Sequence, residues 1–548
     1  PRSTLFPYTT LFRSIKKSDH ALNFSRGGWW LILGVTALYS ISVWKGVGLP
    51  WPFRVLPVTH PYSGYISLWR IKGYTAVLLL IPLMRQALSR YENMRRFFIP
   101  GMLTGLGLVC FFAIWERQIF SGLFNFSTDY RITSTFFEMN TGGAFLDFYL
   151  SMCLPFCAAC FFLYKNSFIR LMGIMLFCAG LYTLLVTFSR IGYASFPLSM
   201  TPLLLGTAVM QKKKWKPFVL ILVFVGLTTA ITLPVIKGKY IRDRFAGLSQ
   251  SVDTRVRHWA DAVGKMEQDN LTLLFGMGQG KYPISYYRTP DHTRPGIYEV
   301  AEENDNLFLR LYPGDSLYFG QTINPAPDTV YKLSFEARTN HPGSGLTFPI
   351  CEKSMLHSFN CRWNTVRINS GGPNRERHEI EYKNLTIGQG RFYQERPVNF
   401  AIYNGSGKAV FEIDNLQLRD SRGNNLIKNG DFSHGNCFWF FATDNHLPWH
   451  IKNLWISQFF ETGLLGLAGF CFLGLYIFAS LANAVAGKDP LSLIFFSSFC
   501  GFFTVGLIDS PFDSNRILFF FYFLCFVSLL HRSEERRVGK ECRSWWSP

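Results

Sequence analysis

Asp444-Asn-His-Leu-Pro-Trp-His-Ile-Lys-Asn-Leu-Trp-Ile-Ser-Gln-Phe-Phe-Glu-Thr-Gly-Leu-Leu-Gly-Leu467 joins two kinds of sequence. Its first half packs His446, Trp449, His450 and Lys452 together. Its second half opens an apolar run with Glu461 inside it. Ionisable groups are costly at a bilayer face unless they have a task, so the stretch predicts a reaction or a binding event at a membrane surface. The whole chain agrees with a membrane setting: 48% of its 548 residues are hydrophobic, with 54 Phe and 14 Trp, too apolar for an ordinary soluble enzyme.

Working outward from that stretch, apolar runs long enough to span or nearly span a bilayer fall at about 29–44, 71–88, 98–115, 144–164, 168–188, 193–210, 217–236, 456–483, 490–509 and 515–530. Basic residues mark every second loop: Lys16, Lys17 and Arg26; Arg85, Arg90, Arg95 and Arg96; Lys165 and Arg170; Lys212, Lys213, Lys214 and Lys216. Cytoplasmic loops carry such an excess, so 237–453 is expected on the other side. The formal charge of +19 fits those loops, anionic lipid and pyrophosphate groups. Nucleic acid is the weaker reading of that charge and no nucleic-acid partner is expected, because the Lys and Arg form no patch with interleaved aromatics.

Between the two apolar blocks the pattern changes to period two, as in Val330-Tyr-Lys-Leu-Ser-Phe-Glu-Ala-Arg338 and Ala409-Val-Phe-Glu-Ile-Asp-Asn-Leu-Gln-Leu418. Turn signals at Pro313-Gly, His341-Pro-Gly, Gly371-Gly-Pro and Asn404-Gly-Ser-Gly separate about eight strands. An all-β, jelly-roll-like insert over 286–440 is expected. The fold class is thus mainly α, a polytopic membrane helix bundle with about ten spans and an inserted β domain. The core divides into 15–285 and 441–531.

The two ends read differently. Pro1–Ser14 and Arg532–Trp545 are compatible, codon by codon, with reverse complements of one another. Segments 1–14 and 532–548 are therefore read as a translated sequencing adapter and set aside, and the natural chain is expected to extend further. Among the cysteines, Cys153-x-x-x-Cys157-x-x-Cys160 lies in an apolar helix and reads as packing rather than a cluster site. Cys351 and Cys361 can form a disulfide or remain free.

Several polar motifs carry candidate chemistry. Arg131, followed by hydroxyls and Asn140, suits phosphate and sugar oxygens, since guanidinium offers bidentate donors that stay charged. An interfacial anchor is the alternative. Arg190 in Ser189-Arg-Ile-Gly192 reaches a cavity at headgroup depth or snorkels. Arg255 and Trp259 share a helical face, and Phe275-Gly-Met-Gly-Gln-Gly280 reads as close backbone packing rather than a phosphate loop. His446 and His450 lie four apart, but Pro448 intervenes and no third ligand has the spacing of a metal site. No metal or cofactor is expected.

Taken together, Arg131-Ile-Thr-Ser-Thr-Phe with Asn140, Phe188-Ser-Arg-Ile-Gly192, Arg255-x-x-x-Trp259, Phe275-Gly-Met-Gly-x-Gly280 and Asn453-Leu-Trp…Glu461-x-Gly463-Leu-Leu-Gly466 resemble the O-antigen ligase and polymerase superfamily. The resemblance covers about 100–285 and 441–530. It implies a GT-C-like bundle of twelve spans in the full chain, set in a bacterial inner membrane with the large loop in the periplasm. It also implies transfer of glycan from undecaprenyl-pyrophosphate to lipid A-core or another saccharide acceptor. Polymerisation of repeat units, transfer to protein and non-enzymatic polysaccharide transport are the alternatives. In this reading Arg131, Arg190 and Arg255 hold the pyrophosphate, and His450 or His446 is the base. Asn140, Trp259, Lys452, Asn453 and Glu461 support them. The family commonly has His directly before the last Asn. Lys452 stands there, and His450, the nearest histidine, is the first choice of base. Val330–Arg338, Phe411–Leu416 and Asn429–Phe432 are similar to carbohydrate-binding sandwich modules, which implies that the insert holds glycan over the site.

Overall fold

The computed structural model describes residues 24–47, 60–87, 94–210, 215–289, 294–326, 329–383, 387–388 and 394–544. Pro1–Ser14, Lys16, Lys17, Arg90 and Lys212–Lys214 lie outside them. Before the insert come α1 (Arg26–Val47), α2 (Ile66–Ala87), α3 (Ile99–Phe120), α4 (Phe145–Cys153), α5 (Ala159–Phe162), α6 (Ser167–Val186), α7 (Arg190–Met210) and α8 (Trp215–Ile236). Four short helices follow: α9 (Lys239–Ala246), α10 (Leu248–Gly264), α11 (Asn270–Phe275) and α12 (Tyr282–Arg288). After the insert come α13 (Leu454–Ala486), α14 (Pro490–Gly506) and α15 (Asn515–Ser544).

The apolar runs read from the sequence are helical, the one at 144–164 as α4 and α5 joined by a 3-10 turn at Leu154–Ala158. Among the described residues, seven are long and apolar enough to cross a membrane, and eight if the pair Ile221–Ile236 and Lys239–Ala246, bent by 82°, counts as one. Pro490–Gly506 and Asn515–His531 are apolar but shorter. Asp489 shows why α14 starts where it does: its carboxylate accepts from the amides of Leu491 and Ser492, and Pro490 has no amide to satisfy. The helices after the insert pack into those before it, α13 on α1, α15 on α2, and α14 against α4 and α7. One apolar core therefore contains Leu106, Phe148 and Leu184 together with Phe499, Phe502 and Leu524. Cys153, Cys157 and Cys160 are buried packing residues of this core or its edge.

Among the described residues the insert holds ten strands: β1 (Tyr298–Glu303), β2 (Asn306–Leu311), β3 (Leu317–Ile323), β4 (Tyr331–Thr339), β5 (Ser344–Lys353), β6 (Ser358–Ile368), β7 (Glu376–Tyr382), β8 (Val398–Asn404), β9 (Phe411–Asp420) and β10 (Phe440–Thr443). They form two antiparallel sheets, β1-β2-β9-β4-β7 and β10-β3-β8-β5-β6, with Phe319, Leu333, Phe348, Phe400 and Trp439 between them. The sequence count of eight misses two strands. In β9 the buried Ile413 and Leu416 are three apart. The ladder with β4 slips at that point, and Asn415 has φ +52°, so both residues face the core across a bulge. Cys351 and Cys361 are joined in a disulfide between β5 and β6.

The sandwich is seated on the bundle. Arg396 donates from Nε to the carbonyl of Ile119 (2.8 Å) and from Nη2 to that of Phe120 (3.1 Å), so a guanidinium sits at the negative end of α3. The chain leaves the bundle after α12 and returns at Trp449. The Tyr62 ring lies 5.5 Å from the Tyr287 ring and 6.0 Å from that of Trp449.

Candidate functional site

The loop after α3 is folded around the last charged pair of that helix. The Glu116 carboxylate accepts from the Tyr130 hydroxyl (2.6 Å) and from the amides of Thr133 (3.1 Å) and Ser134 (2.6 Å). Arg117, fully buried, donates to the carbonyls of Tyr130 (2.9 Å) and Asn125 and lies over the Phe188 ring. With both flanks fixed, Arg131 crosses to the end of α6, where its Nε donates to the Thr187 carbonyl (2.9 Å). A second guanidinium comes from the start of α7: Arg190 donates to the carbonyl of Arg244 in α9 (3.2 Å). The bend between α8 and α9 turns that short helix toward the bundle end. Arg255, in α10, donates to the carbonyl of Ile508, between α14 and α15.

These arginines converge on one cavity of about 150 Å³, lined among others by Arg131, Arg190, Arg244, Arg255, His446, Lys452 and Asp509. Five cationic side chains thus face one carboxylate. Burial lowers the pKa of Arg131 and Arg255 and raises that of Asp509. It brings Lys452 down to about 8, a shift that neighbouring Asp509 opposes. His446 falls to about 3, first by burial and then by the charge of Lys452, whose Nζ contacts its Nε2. His446 reaches the cavity past Gly142, which has φ +92° and where a Cβ would come within 2.6 Å of the histidine Cβ.

The structure separates the two histidines. His446 lines the cavity, and His450 does not. The His450 ring is buried behind it, 6.1 Å from the His446 ring, with Nε2 4.0 Å from Asp509 Oδ1. The sequence reading put His450 first as base; the structure places His446 on the cavity wall and His450 behind it. The cause is the turn at Pro448, where the Trp449 amide bonds back to the carbonyl of His446 and breaks the helical spacing.

The supporting residues have local roles. Trp259 Nε1 donates to the Lys452 carbonyl (2.8 Å). Asn453 caps α13, accepting from the amides of Trp455 and Ile456, and donates to the Leu507 carbonyl (2.9 Å). Glu461 lies away from the cavity. It accepts from the Gly280 amide (3.1 Å) and from Arg70 (3.3 Å), while its own carbonyl takes the Gly278 amide. The glycine turn is therefore packed backbone to backbone on α13, at the kink where Gly463 has φ +67°. The side chain of Asn140 lies outside the described residues. Arg244 and Asp509 are site residues that the sequence reading missed. Among the described residues, no three His, Cys, Asp or Glu side chains gather as a metal site would need.

Residues 150–311 match the O-antigen ligase family. The match takes in Arg190, Arg244 and Arg255 and ends in β2. No curated protein matches the chain.

Proposed function

We propose that this chain, a multi-pass membrane protein of the O-antigen ligase superfamily, transfers glycan from an undecaprenyl-pyrophosphate donor to a hydroxyl of a lipid or saccharide acceptor. The reaction takes place at the periplasmic face of the bacterial inner membrane. One observation carries the reading: four guanidiniums and Lys452, drawn from five separate segments, meet in one cavity beside an imidazole. Each segment lies at an end of the spans that the basic-loop alternation puts outside the cytoplasm.

The acceptor oxygen attacks the anomeric carbon of the donor sugar as the bond from that carbon to the pyrophosphate oxygen breaks. The departing charge is held by Arg131, Arg190, Arg244, Arg255 and Lys452, a fixed electrostatic field that needs no metal. The acceptor proton passes to the His446 imidazole. Burial, and after it the charge of the surrounding cations, hold His446 neutral, the form that can accept a proton. Pyrophosphate offsets those cations and raises the basicity of the ring when it is needed. Transfer by the purified protein in chelator-treated membranes tests the scheme. Loss on chelation, restored by a divalent ion, would remove the metal-free mechanism.

A pH profile follows from Lys452. Its pKa is lowered to about 8, so it is charged below that pH and adds to the pull on the donor. Above it the charge is lost. The value of kcat/KM for the donor is expected to fall on the alkaline side of about pH 8, while Lys452→Arg stays flat there. A flat wild-type profile between about pH 7 and 9 would contradict the assignment.

The insert supplies a surface for the sugar chain. Trp363, 51% exposed on β6, has its ring 6.3 Å from that of Tyr318 and 6.4 Å from that of Tyr403. Stacking of a sugar there is worth about 1 kcal/mol. Trp363→Ala is expected to raise KM roughly fivefold for long-glycan donors and to leave a single-unit donor unchanged. Equal effects on both donors would rule out the glycan track.

A further inference from the structure

We infer that the disulfide-closed hairpin of the insert is the element that holds the Arg131 loop in its donor-binding position. The insert then completes the transfer site instead of only presenting sugar above it. This rests on the donor reading given above.

Cys351 and Cys361 bracket the tip of the β5–β6 hairpin. The four side chains that enter the bundle, Ser354, Leu356, His357 and Phe359, all lie between them. Ser354 Oγ donates to Glu116 Oε1 (2.8 Å). That carboxylate also takes the Tyr130 hydroxyl and the amides of Thr133 and Ser134. One acceptor group therefore ties the hairpin to the residues on both sides of Arg131. The Tyr130 ring stacks on Phe120 (5.0 Å) and lies 5.5 Å from both His357 and Phe359. Leu356 lines the cavity beside Arg131.

The hairpin is anchored from behind as well. Glu352, adjacent to Cys351, binds Arg396 (2.7 Å), the residue that grips the end of α3. The backbone on each side of Arg131 is thus fixed jointly by α3 and by a tip whose own conformational freedom the disulfide restricts. Arg131 must hold its guanidinium in place before the donor arrives, because a preorganised charge acts without reorganising at the moment of reaction. Ser354 touches no reacting group. It is a positioning residue that acts through Glu116 on Arg131.

The test uses the full chain in lipid nanodiscs, as wild type, Cys351→Ser/Cys361→Ser, Ser354→Ala and Ser354→Thr. Backbone hydrogen exchange in 130–136 reports the hold on the loop without reference to activity. It is expected to quicken about tenfold in the double cysteine variant and in wild type reduced with dithiothreitol. Exchange in α13 should stay unchanged. Donor KM should rise about tenfold in the same samples and in Ser354→Ala, and Ser354→Thr, which keeps the hydroxyl, should restore most of it. The reduced wild type decides the matter if the double variant does not fold. Unchanged exchange in 130–136 after the disulfide is opened overturns the inference, and so does an unchanged donor KM. Quickened exchange in a wild-type protein that transfers no glycan would keep the hairpin's grip on the loop and remove the donor from it.

Discussion

Replacing Arg131 with alanine is expected to lower glycan transfer by about 30- to 1000-fold, the equivalent of roughly 2–4 kcal/mol of transition-state stabilisation. The protein should remain folded and inserted, because the loop is held by Glu116 and Arg117 rather than by Arg131 itself. Arg131→Lys should recover only part of the loss. An ammonium is a point charge and cannot place two parallel donors on a phosphate while also reaching the Thr187 carbonyl. Arg190→Ala and Arg255→Ala should fall in the same range. Their effects should not add with that of Arg131, since all three line one cavity. Full activity in Arg131→Lys would show that charge alone suffices and would remove the bidentate contact.

His446→Ala is expected to cost about 10²- to 10⁴-fold in kcat, the range for losing a general base. His450→Ala should do less. His450 is buried off the cavity, so its removal loosens the turn beneath His446 and shifts the base without deleting it. Measuring kcat for both variants with the same donor separates the two roles. A larger loss in His450→Ala than in His446→Ala would reinstate the order implied by Asn453 and its preceding residues. Activity retained in both would remove imidazole catalysis.

Charge at the ends of apolar runs made the arginines of the site legible. A guanidinium in such a place is costly, and the alternation of basic loops put Arg131, Arg190 and Arg255 on one side before any contact was known. The same logic could not reach Arg244. It sits in Lys239–Ala246 among Lys239, Arg242 and Asp243, and only the 82° bend after α8 decides which of these charges meets the cavity. Local periodicity carries no record of a bend. Asp509 was hidden by hydropathy, which ran the apolar segment on to 509, whereas the helix stops at Gly506. The different placement of His446 and His450 follows from the turn at Pro448, where the Trp449 amide bonds back to the His446 carbonyl, and a four-residue spacing does not record which ring that turn carries to the cavity. The period-two runs revealed the sandwich, yet the four-residue β10, paired with β3 at a sheet edge, was too short to register.

Tyr62 touches the chain both where it departs for the sandwich and where it comes back. A domain whose two stems meet at a single ring can be spliced into a loop, or cut out of it, without forcing α12 and the His446 segment apart. Such a graft leaves the geometry of the helix bundle in place. The same closeness means that any replacement cassette with adjacent termini would join cleanly, and would still have to bring its own finger to Glu116.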